Sequence, residues 1–317
     1  MFSDSLPARV TILGAGAWGC CLETLLREQQ HQVTVWSRRY HRPLAAAIQN
    51  ADVVISALSM QGVPIVAAQL KALGIPPQTL VVSATKGLNP GSYETPSQLW
   101  HQALPNNPIV VLSGPNLAAE IEAGLPAATV VASEDLAAAQ RIQTLLNSER
   151  FRVYTNGDPL GTELGGTLKN IIAIAVGVCD GLNLGTNAKS ALMTRALVEM
   201  TRIGVQLGAQ PQTFWGLSGL GDMIATCSSA LSRNYRVGYG LAQGQALGAV
   251  LAEIGSTAEG VNTAQVLVDL AGRDGIDAPI ATAVAQILAG HMAPAQAIET
   301  LMSRLPRAEV LEIQRPC

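Results

Sequence analysis

The stretch VTILGAGAWG, residues 10–19, runs from an apolar segment typical of a buried strand into the pattern G-x-G-x-x-G. In a dinucleotide-binding turn, each of the three glycines has its own task. Gly14 permits the tight turn, Gly16 lets the backbone approach a phosphate, and Gly19 lets the following helix pack closely on the strand. The free N–H groups and the dipole of that helix attract an anion. The stretch therefore predicts a dinucleotide-binding turn between a strand and a helix.

The residues that follow decide how much weight this pattern carries, because a chain with 30 glycines can meet the spacing by chance. An ordinary strand-to-helix turn is the alternative interpretation. A helical run at 20–29 and a second apolar strand at 32–36 follow, and together they complete a βαβ unit of the length that the motif requires. This context favours cofactor binding.

Length and composition restrict the class of protein. At 317 residues the chain exceeds a usual single core, so we expect two domains. The formal net charge of −3 and the lack of a basic run argue against a nucleic-acid partner or an anionic membrane surface. The most apolar helical run, 171–178, is too short to span a bilayer, so we expect no membrane insertion.

The cysteines indicate a reducing environment. Their number is odd and their spacing is not of a metal-binding type; they are Cys20, Cys21, Cys179, Cys227 and Cys317. We therefore expect reduced thiols in a cytoplasmic protein, with no disulfide framework and no metal site.

Alternating strands and helices in the first half of the chain predict a Rossmann-type doubly wound parallel sheet. Further strands are expected at 51–58, 78–83, 108–112, 127–132 and 151–155, with helices at 63–73 and 136–146. Beyond residue 160 only helical patterns occur, at 161–178, 188–207, 234–242, 247–254, 261–271, 279–288 and 294–302. These patterns predict a dinucleotide-binding domain at 1–156 and an all-helical substrate domain at 157–317. A cleft between two such domains is the expected substrate site.

Two lysines stand out among the polar residues. Lys86 lies just past a predicted strand, where ligands bind in a doubly wound sheet, although a solvated surface lysine is the alternative. Lys169, followed by Asn170, lies inside a very apolar helical run. Desolvation there would lower the pKa of its ammonium group toward the range that is useful for proton transfer. A structural lysine that extends its amine to solvent is the alternative.

Two further clusters follow in the helical half of the chain. Asp222 ends the stretch GLGD and is followed four residues later by Thr226; taken alone, Asp222 is also typical of a turn or a helix cap. Ser232, Arg233 and Asn234 stand at a predicted helix start. A guanidinium group beside free helix N–H groups suits a phosphate, and a capping asparagine beside a solvated arginine is the alternative.

Taken together, the stretches GAGAWG, SATKGL, LSGPNLAAE, ELGGTLKNIIAIAVG, NAKSALMTRALVEM, GLSGLGD and LSRN closely resemble bacterial NAD(P)-dependent glycerol-3-phosphate dehydrogenases. The resemblance runs almost from end to end, and the order of several motifs is far more specific than any one of them. It implies that Lys169 is the proton donor and acceptor, that Lys86 contacts both the substrate and the nicotinamide end of the cofactor, and that Asp222 helps to orient the reacting groups.

The resemblance also implies binding roles at other positions. The expected substrate contacts are Lys86, Gly114, Asn116, Lys169, Asn170, Asp222, Ser232, Arg233 and Asn234, with Arg233 on the phosphate. The expected cofactor contacts are Gly14, Gly16, Ala17, Trp18, Gly19, Arg38, Arg39, Lys86, Ala118, Arg233, Thr257 and Glu259. Several of these, such as Ala17 and Ala118, would act through backbone or shape.

The chain departs from the family pattern at two places. Relatives usually have a longer connection after the second strand, whereas residues 40–50 here leave room for only a short segment and predict a more open adenosine pocket. Asn116 stands where a serine or threonine is common, which keeps a hydrogen-bonding group but alters its reach.

The residues after the second strand predict the cofactor preference. An acidic residue about 20 positions past the glycines would bind the ribose 2′-OH of NAD. Ser37, Arg38 and Arg39 stand here instead, so we expect a preference for NADPH, with NADH as a second usable cofactor. Two solvated arginines on a loop are the alternative.

The expected activity is therefore the reduction of dihydroxyacetone phosphate to sn-glycerol 3-phosphate for phospholipid synthesis, by a cytoplasmic homodimer. Two alternatives stay open at this point. One is another two-domain dehydrogenase, acting on 6-phosphogluconate or ketopantoate, and the other is a redox-sensing protein that holds NADPH without turnover.

Overall fold

The computed structural model describes residues 7–255, 257–306 and 308–309. The chain divides into two compact units. The sheet unit comprises Met1–Lys86 and Glu94–Glu163, and the helical unit comprises Gly87–Tyr93 and Leu164–Cys317.

The sheet unit contains seven strands in one sheet, in the order β2-β1-β3-β4-β5-β6-β7. The strands are β1 Arg9–Leu13, β2 Gln32–Trp36, β3 Val53–Ser56, β4 Leu80–Ser83, β5 Ile109–Ser113, β6 Ala127–Ala132 and β7 Phe151–Asn156. The helices between them are α1 Ala17–Glu28, α2 Leu44–Ile48, α3 Gly62–Leu73, α4 Pro96–Ala103, α5 Ala118–Glu122 and α6 Leu136–Leu146. The predicted doubly wound fold is confirmed, and the predicted bounds of β2, β6 and α6 agree with the structure.

Alternate residues along the central strands face opposite sides of the sheet, as the pleat requires. Val53 and Ile55 of β3 belong to a core that includes Leu22 and Leu26 of α1. Val54, between them, belongs to a second core that includes residues of α3. Both faces are thus covered by helices, which explains why these strands are continuously apolar in sequence.

One pairing departs from the predicted parallel sheet, because β5 and β6 run antiparallel, with Leu112 opposite Val131. The cause is the short helix in the connection. Five residues of α5 rise only ~7.5 Å, whereas a five-residue strand spans ~17 Å. The helix alone does not return the chain to the starting edge of β5, and β6 begins near the edge where β5 ends.

The helical unit follows the predicted pattern, with bounds that differ by up to three residues. Its helices are α7 Pro159–Gly181, of which the part from Leu164 belongs to this unit, α8 Gly185–Gln206, α9 Asp222–Cys227, α10 Arg233–Ala242, α11 Leu247–Ile254, α12 Glu259–Arg273, α13 Pro279–Leu288 and α14 Pro294–Met302. The sequence did not predict α9, nor the 3-10 turn Pro211–Trp215 and the π turn Leu217–Gly221 before it. All three are too short to show a helical period.

Helix α7 carries Lys169 and is the longest helix of the described residues. Asp158 caps its start, because its Oδ1 accepts a hydrogen bond from the Gly161 N–H at 2.9 Å, and Pro159 occupies the first helical position. By length and composition α7 could span a membrane, but 94% of its most apolar window is buried inside the protein. It is a core helix.

Candidate active site

The glycine-rich turn, Gly14–Gly19, requires glycine at three positions for different physical reasons. Gly14 has φ +117°, and a Cβ there would lie 2.5 Å from the Ala57 carbonyl oxygen. A Cβ on Gly19 would lie 2.0 Å from the Gly14 oxygen. Gly16 has an ordinary φ of −83° and no atom within 4 Å of its missing Cβ. Packing thus explains two glycines, whereas the space at Gly16 is what a closely approaching phosphate requires.

The start of α1 is open to an anion. Gly16 is the N-cap and provides no side-chain cap, and the first turn of α1 contains no acidic residue. Gly16 and Ala17 are exposed, while Trp18 is partly buried and packs against the core of the sheet unit. The free N–H groups and the helix dipole therefore point to a phosphate, and the residues present fit a dinucleotide.

Lys86 and Gly114 lie at the same edge of the sheet, because each follows one of the neighbouring parallel strands β4 and β5. The Nζ atom of the partly buried Lys86 donates to the Gly114 carbonyl oxygen at 3.5 Å. Gly114 has φ +149°, and a Cβ there would lie 3.1 Å from the Thr129 Cα, so only glycine fits. The structure brings these two predicted substrate contacts together.

Asn116, also predicted to contact substrate, is held by β6. Its Oδ1 accepts from the Thr129 hydroxyl at 2.9 Å, and its Nδ2 donates to the Ala128 carbonyl oxygen at 3.4 Å. Two residues later, Ala118 begins α5 and packs against the core. The predicted contacts of Asn116 and Ala118 with ligands stay predictions.

A buried carboxylate that the sequence analysis missed supports the strand before Lys86. Glu163 accepts from the Ser83 hydroxyl at the end of β4, at 2.8 Å, and from the N–H and hydroxyl of Ser97 in α4. Burial raises the pKa of this carboxyl group, and the hydrogen bonds that it accepts oppose that rise. An acidic residue six positions before Lys169 in an apolar helix was the available signal.

The helical unit brings Lys169, Asp222 and Thr226 into contact. The Lys169 Nζ lies 3.0 Å from Asp222 Oδ1 and donates to the Thr226 hydroxyl at 2.5 Å. That hydroxyl donates to Asp222 Oδ1 at 3.2 Å. All three residues are buried, at 7%, 2% and 3% exposure, so the ammonium group is held in a fixed position away from bulk solvent.

Thr226 was named beside Asp222 in the sequence but given no role. The two residues are four apart, a spacing that places them on one face of a helix once α9 is recognised. Cys227 follows, and burial raises the pKa of its thiol to about 12, so it stays protonated at neutral pH.

Asn170 and Asn234 are joined by a buried hydrogen bond. The Asn234 Nδ2 donates to Asn170 Oδ1 at 2.9 Å, and its Oδ1 accepts from the Gly260 N–H at 3.0 Å. Ser232, not Asn234, caps α10, because its hydroxyl accepts from the Tyr235 N–H. The interpretation of Asn234 as a capping residue is therefore wrong, and its amide instead ties α7, α10 and the start of α12 together.

Arg233 is exposed at the first position of α10, next to the capping residue Ser232. Close helix packing fixes the place of this residue relative to α7. A Cβ on Gly177 would lie 2.1 Å from the Tyr235 carbonyl oxygen, and one on Gly238 would lie 1.9 Å from that of Ile174. The backbones of α7 and α10 thus touch.

The other predicted cofactor contacts lie on separate elements. Arg38 and Arg39 are exposed directly after β2, in the sheet unit. Thr257 is exposed in the helical unit, and the partly buried Glu259 begins α12. Within the described ranges, no group of three or more His, Cys, Asp or Glu side chains could hold a metal ion.

Two sequence models cover most of the chain. The model of the NAD-dependent glycerol-3-phosphate dehydrogenase C-terminus matches residues 158–299, and that of its N-terminus matches 9–42 and 39–139. The chain belongs to this family. The N-terminal match consists of two segments that overlap at residues 39–42, within the short connection after β2.

Members of the family with high similarity come from cyanobacteria. The glycerol-3-phosphate dehydrogenase [NAD(P)+] of Synechocystis sp. is 60% identical over 303 residues, which is 96% of each chain. That of Acaryochloris marina is 57% identical over 304 residues, covering 96% of this chain and 98% of the relative. The crystal structure of the glycerol-3-phosphate dehydrogenase of Coxiella burnetii matches with a TM-score of 0.89 at 33% identity, covering 94% of this chain and 99% of that one.

Proposed function

We propose that the chain reduces dihydroxyacetone phosphate to sn-glycerol 3-phosphate, with Lys169 as the proton donor. Membership of the family makes it an NAD(P)-dependent oxidoreductase, and this decides between the enzyme hypotheses in favour of the glycerol phosphate substrate. The observation that carries the assignment of Lys169 is its buried ammonium group, which Asp222 and Thr226 hold.

The glycine-rich turn and the start of α1 would bind the pyrophosphate of the cofactor. When bound, the nicotinamide supplies a hydride to the carbonyl carbon of the substrate. Lys86 is proposed to contact both the substrate and the nicotinamide end. Its place beyond β4, beside Gly114, supports this role, because ligands of doubly wound sheets bind past the carboxyl ends of the strands.

Lys169 would give a proton to the carbonyl oxygen as negative charge develops there. Asp222 and Thr226 keep the ammonium group in place. After the transfer Lys169 is a neutral amine, which must take up a proton again before the next turnover. General acid catalysis of this kind contributes about 10²–10⁴-fold to the rate.

Arg233 is proposed to bind the substrate phosphate. Its exposed guanidinium group stands at a helix start, so planar charged hydrogen bonds and the positive end of the helix dipole favour one anion. Ser232 and Asn234 would act mainly by shaping this site, since the hydroxyl caps α10 and the amide bonds to Asn170 and Gly260.

NADPH is the proposed preferred cofactor. The residues after β2 include no carboxylate to bind a ribose 2′-OH, and Arg38 and Arg39 are exposed there. A dianionic 2′-phosphate suits two guanidinium groups. The ratio of kcat/KM for NADPH and NADH tests this proposal, and equal use of the two cofactors would refute it.

The remaining proposals concern the cell and the assembly. We propose a cytoplasmic enzyme of phospholipid synthesis. We also propose that its dinucleotide-binding domain ends at residue 156 and its substrate domain begins at residue 157. The unpaired thiols of Cys20, Cys21, Cys179 and Cys227 support a reducing compartment. The homodimer rests on the family resemblance, and light scattering of the purified chain tests it.

The proposed function is tested by following NADPH oxidation at 340 nm with dihydroxyacetone phosphate. Lys169→Ala should lower kcat by at least about 10²-fold while the KM for NADPH stays near that of the parent. Lys169→Arg should fail equally, because a guanidinium group does not readily release a proton.

Two outcomes would contradict the proposal. An unchanged kcat in Lys169→Ala would refute the role of Lys169. A parent protein that binds NADPH but does not oxidise it with dihydroxyacetone phosphate would be the non-enzymatic binding protein instead.

A further inference from the structure

Trp36, the last residue of β2, connects two parts of the sheet unit that the cofactor would meet. Its carbonyl oxygen accepts a hydrogen bond from the Gly14 N–H at 2.8 Å, at the first glycine of the glycine-rich turn. Its indole Nε1 donates to the Arg42 carbonyl oxygen at 3.0 Å. The side chain is only 7% exposed, so both contacts start from a fixed residue of the core.

The indole contact folds the next six residues into a compact basic turn, residues 37–42. The Tyr40 N–H donates to the Ser37 carbonyl oxygen at 2.9 Å, which closes the turn locally. The sequence SRRYHR supplies three guanidinium groups and a histidine without a carboxylate. Arg38, Arg39 and Arg42 are all exposed.

The basic turn stands at the outer edge of the sheet, because β2 is the edge strand. Between it and β3 the chain has only the short helix α2. The two N-terminal matches to the family model meet and overlap at residues 39–42, within this turn.

We propose that Arg42 is a third guanidinium group that binds the 2′-phosphate of NADP(H), and that the indole N–H of Trp36 holds Arg42 in place for it. The inference rests on the proposed preference for NADPH. Arg42 stands four residues after Arg38 in sequence, but the bond from Trp36 returns its backbone to the end of β2. The backbones of Arg38 and Arg42 thus both lie near that strand end, and charges closer together than the Debye length of about 8 Å at physiological salt are little screened.

The inference is tested with adenosine fragments, which need no catalytic turnover. Titration calorimetry would compare 2′,5′-ADP, which carries the 2′-phosphate, with 5′-ADP, which lacks it. Arg42→Ala should weaken binding of 2′,5′-ADP about fivefold, the upper end for an exposed ion pair, and leave 5′-ADP binding unchanged. The kcat/KM for NADPH should fall by the same factor and that for NADH should not change. Arg141→Ala, which removes an exposed arginine from α6, is the matched control and should behave as the parent.

Trp36→Phe separates the indole N–H from the packing of the ring. It should reproduce the loss seen in Arg42→Ala, and the double variant should lose no more than either single change, because both remove one interaction. A Trp36→Phe protein that binds both fragments equally poorly would overturn the role of the indole N–H.

The binding results distinguish an error about Arg42 from an error about the proposed NADPH preference. If the parent binds 2′,5′-ADP more tightly and Arg38→Ala removes that difference while Arg42→Ala does not, only the role of Arg42 is overturned. If the parent does not distinguish the two fragments, the proposed NADPH preference fails and the inference fails with it.

Discussion

Replacing Thr226 by valine should separate the position of the Lys169 ammonium group from its charge. The Thr226 hydroxyl accepts from Lys169 Nζ at 2.5 Å and donates to Asp222 Oδ1 at 3.2 Å. Valine keeps the branched shape of threonine but has neither a donor nor an acceptor. The ion pair between Lys169 and Asp222, at 3.0 Å, remains in the variant.

The expected size of the effect follows from these contacts. A hydrogen bond to a charged group contributes ~1.5–3 kcal/mol. Since each ~1.4 kcal/mol changes a rate tenfold, loss of the bond to Lys169 should lower kcat between ~10-fold and ~100-fold. The KM for NADPH should stay near that of the parent, because Thr226 orients the proton donor and is not proposed to contact the cofactor. Thr226→Ser, which keeps the hydroxyl, should recover most of the activity.

Steady-state oxidation of NADPH at 340 nm gives kcat and KM, and thermal unfolding reports stability. Thr201→Val is the matched control, because Thr201 is also buried in the helical unit and its hydroxyl donates to the Leu197 carbonyl oxygen within α8. A parent-like kcat in Thr226→Val would refute the proposed orientation of Lys169. An equal loss of activity in Thr201→Val would show that the effect is one of general stability.

Three more predictions concern the helical unit. Arg233→Lys should raise the KM for dihydroxyacetone phosphate, since an ammonium group does not replace bidentate contact with a phosphate. The weak turnover of unphosphorylated dihydroxyacetone should stay unchanged, and an equal loss of activity with both substrates would contradict the role of Arg233 in phosphate binding. Burial raises the pKa of Glu199 from 4.5 to about 7, so the folded state binds the carboxyl proton more tightly than the unfolded state does. The protonated Glu199 should therefore contribute ~3 kcal/mol to the free energy of unfolding below pH 4.5, and this contribution should be lost as the pH rises toward 7. Urea unfolding should show a flatter pH profile in Glu199→Gln. Gly238→Ala should lower both the melting temperature and kcat, because the new Cβ would lie 1.9 Å from the Ile174 carbonyl oxygen. The control Gly272→Ala, whose Cβ would meet no atom within 4 Å, should raise the melting temperature. Equal effects of the two substitutions would contradict close packing of α7 on α10.

The sequence analysis predicted the elements of the sheet unit well where local pattern and tertiary environment agree. Continuous apolar runs indicated buried strands, and the structure covers both faces of β3 with helices. It did not show that β6 runs antiparallel to β5 in the otherwise parallel sheet. The direction of a strand depends on the edge of the sheet at which the preceding connection ends. The five residues of α5 show too weak a helical pattern for the length of that helix to be predicted.

The candidate site was predicted residue by residue but not contact by contact. Lys169 and Asp222 were named from the sequence, whereas their junction through Thr226 depends on α9, a helix of six residues that shows no period of its own. Asn234 was considered as a helix cap because asparagine often caps helices. Its actual partners are Asn170 and Gly260, which are 64 and 26 residues away and which no local pattern identifies.

The sequence by itself determined the glycine-rich turn, the alternation of strands and helices, and the basic residues after β2, because each follows from the conformational and charge preferences of neighbouring residues. Only the tertiary structure decided which distant groups meet. Lys169 and Thr226 lie 57 residues apart, and they touch because α7 and α9 pack together. The backbone oxygen of Arg42 lies beside the end of β2 because it accepts a hydrogen bond from the indole N–H of Trp36, a core side chain. Such contacts depend on how whole elements pack, and this packing leaves no periodic signal in the residues that form them.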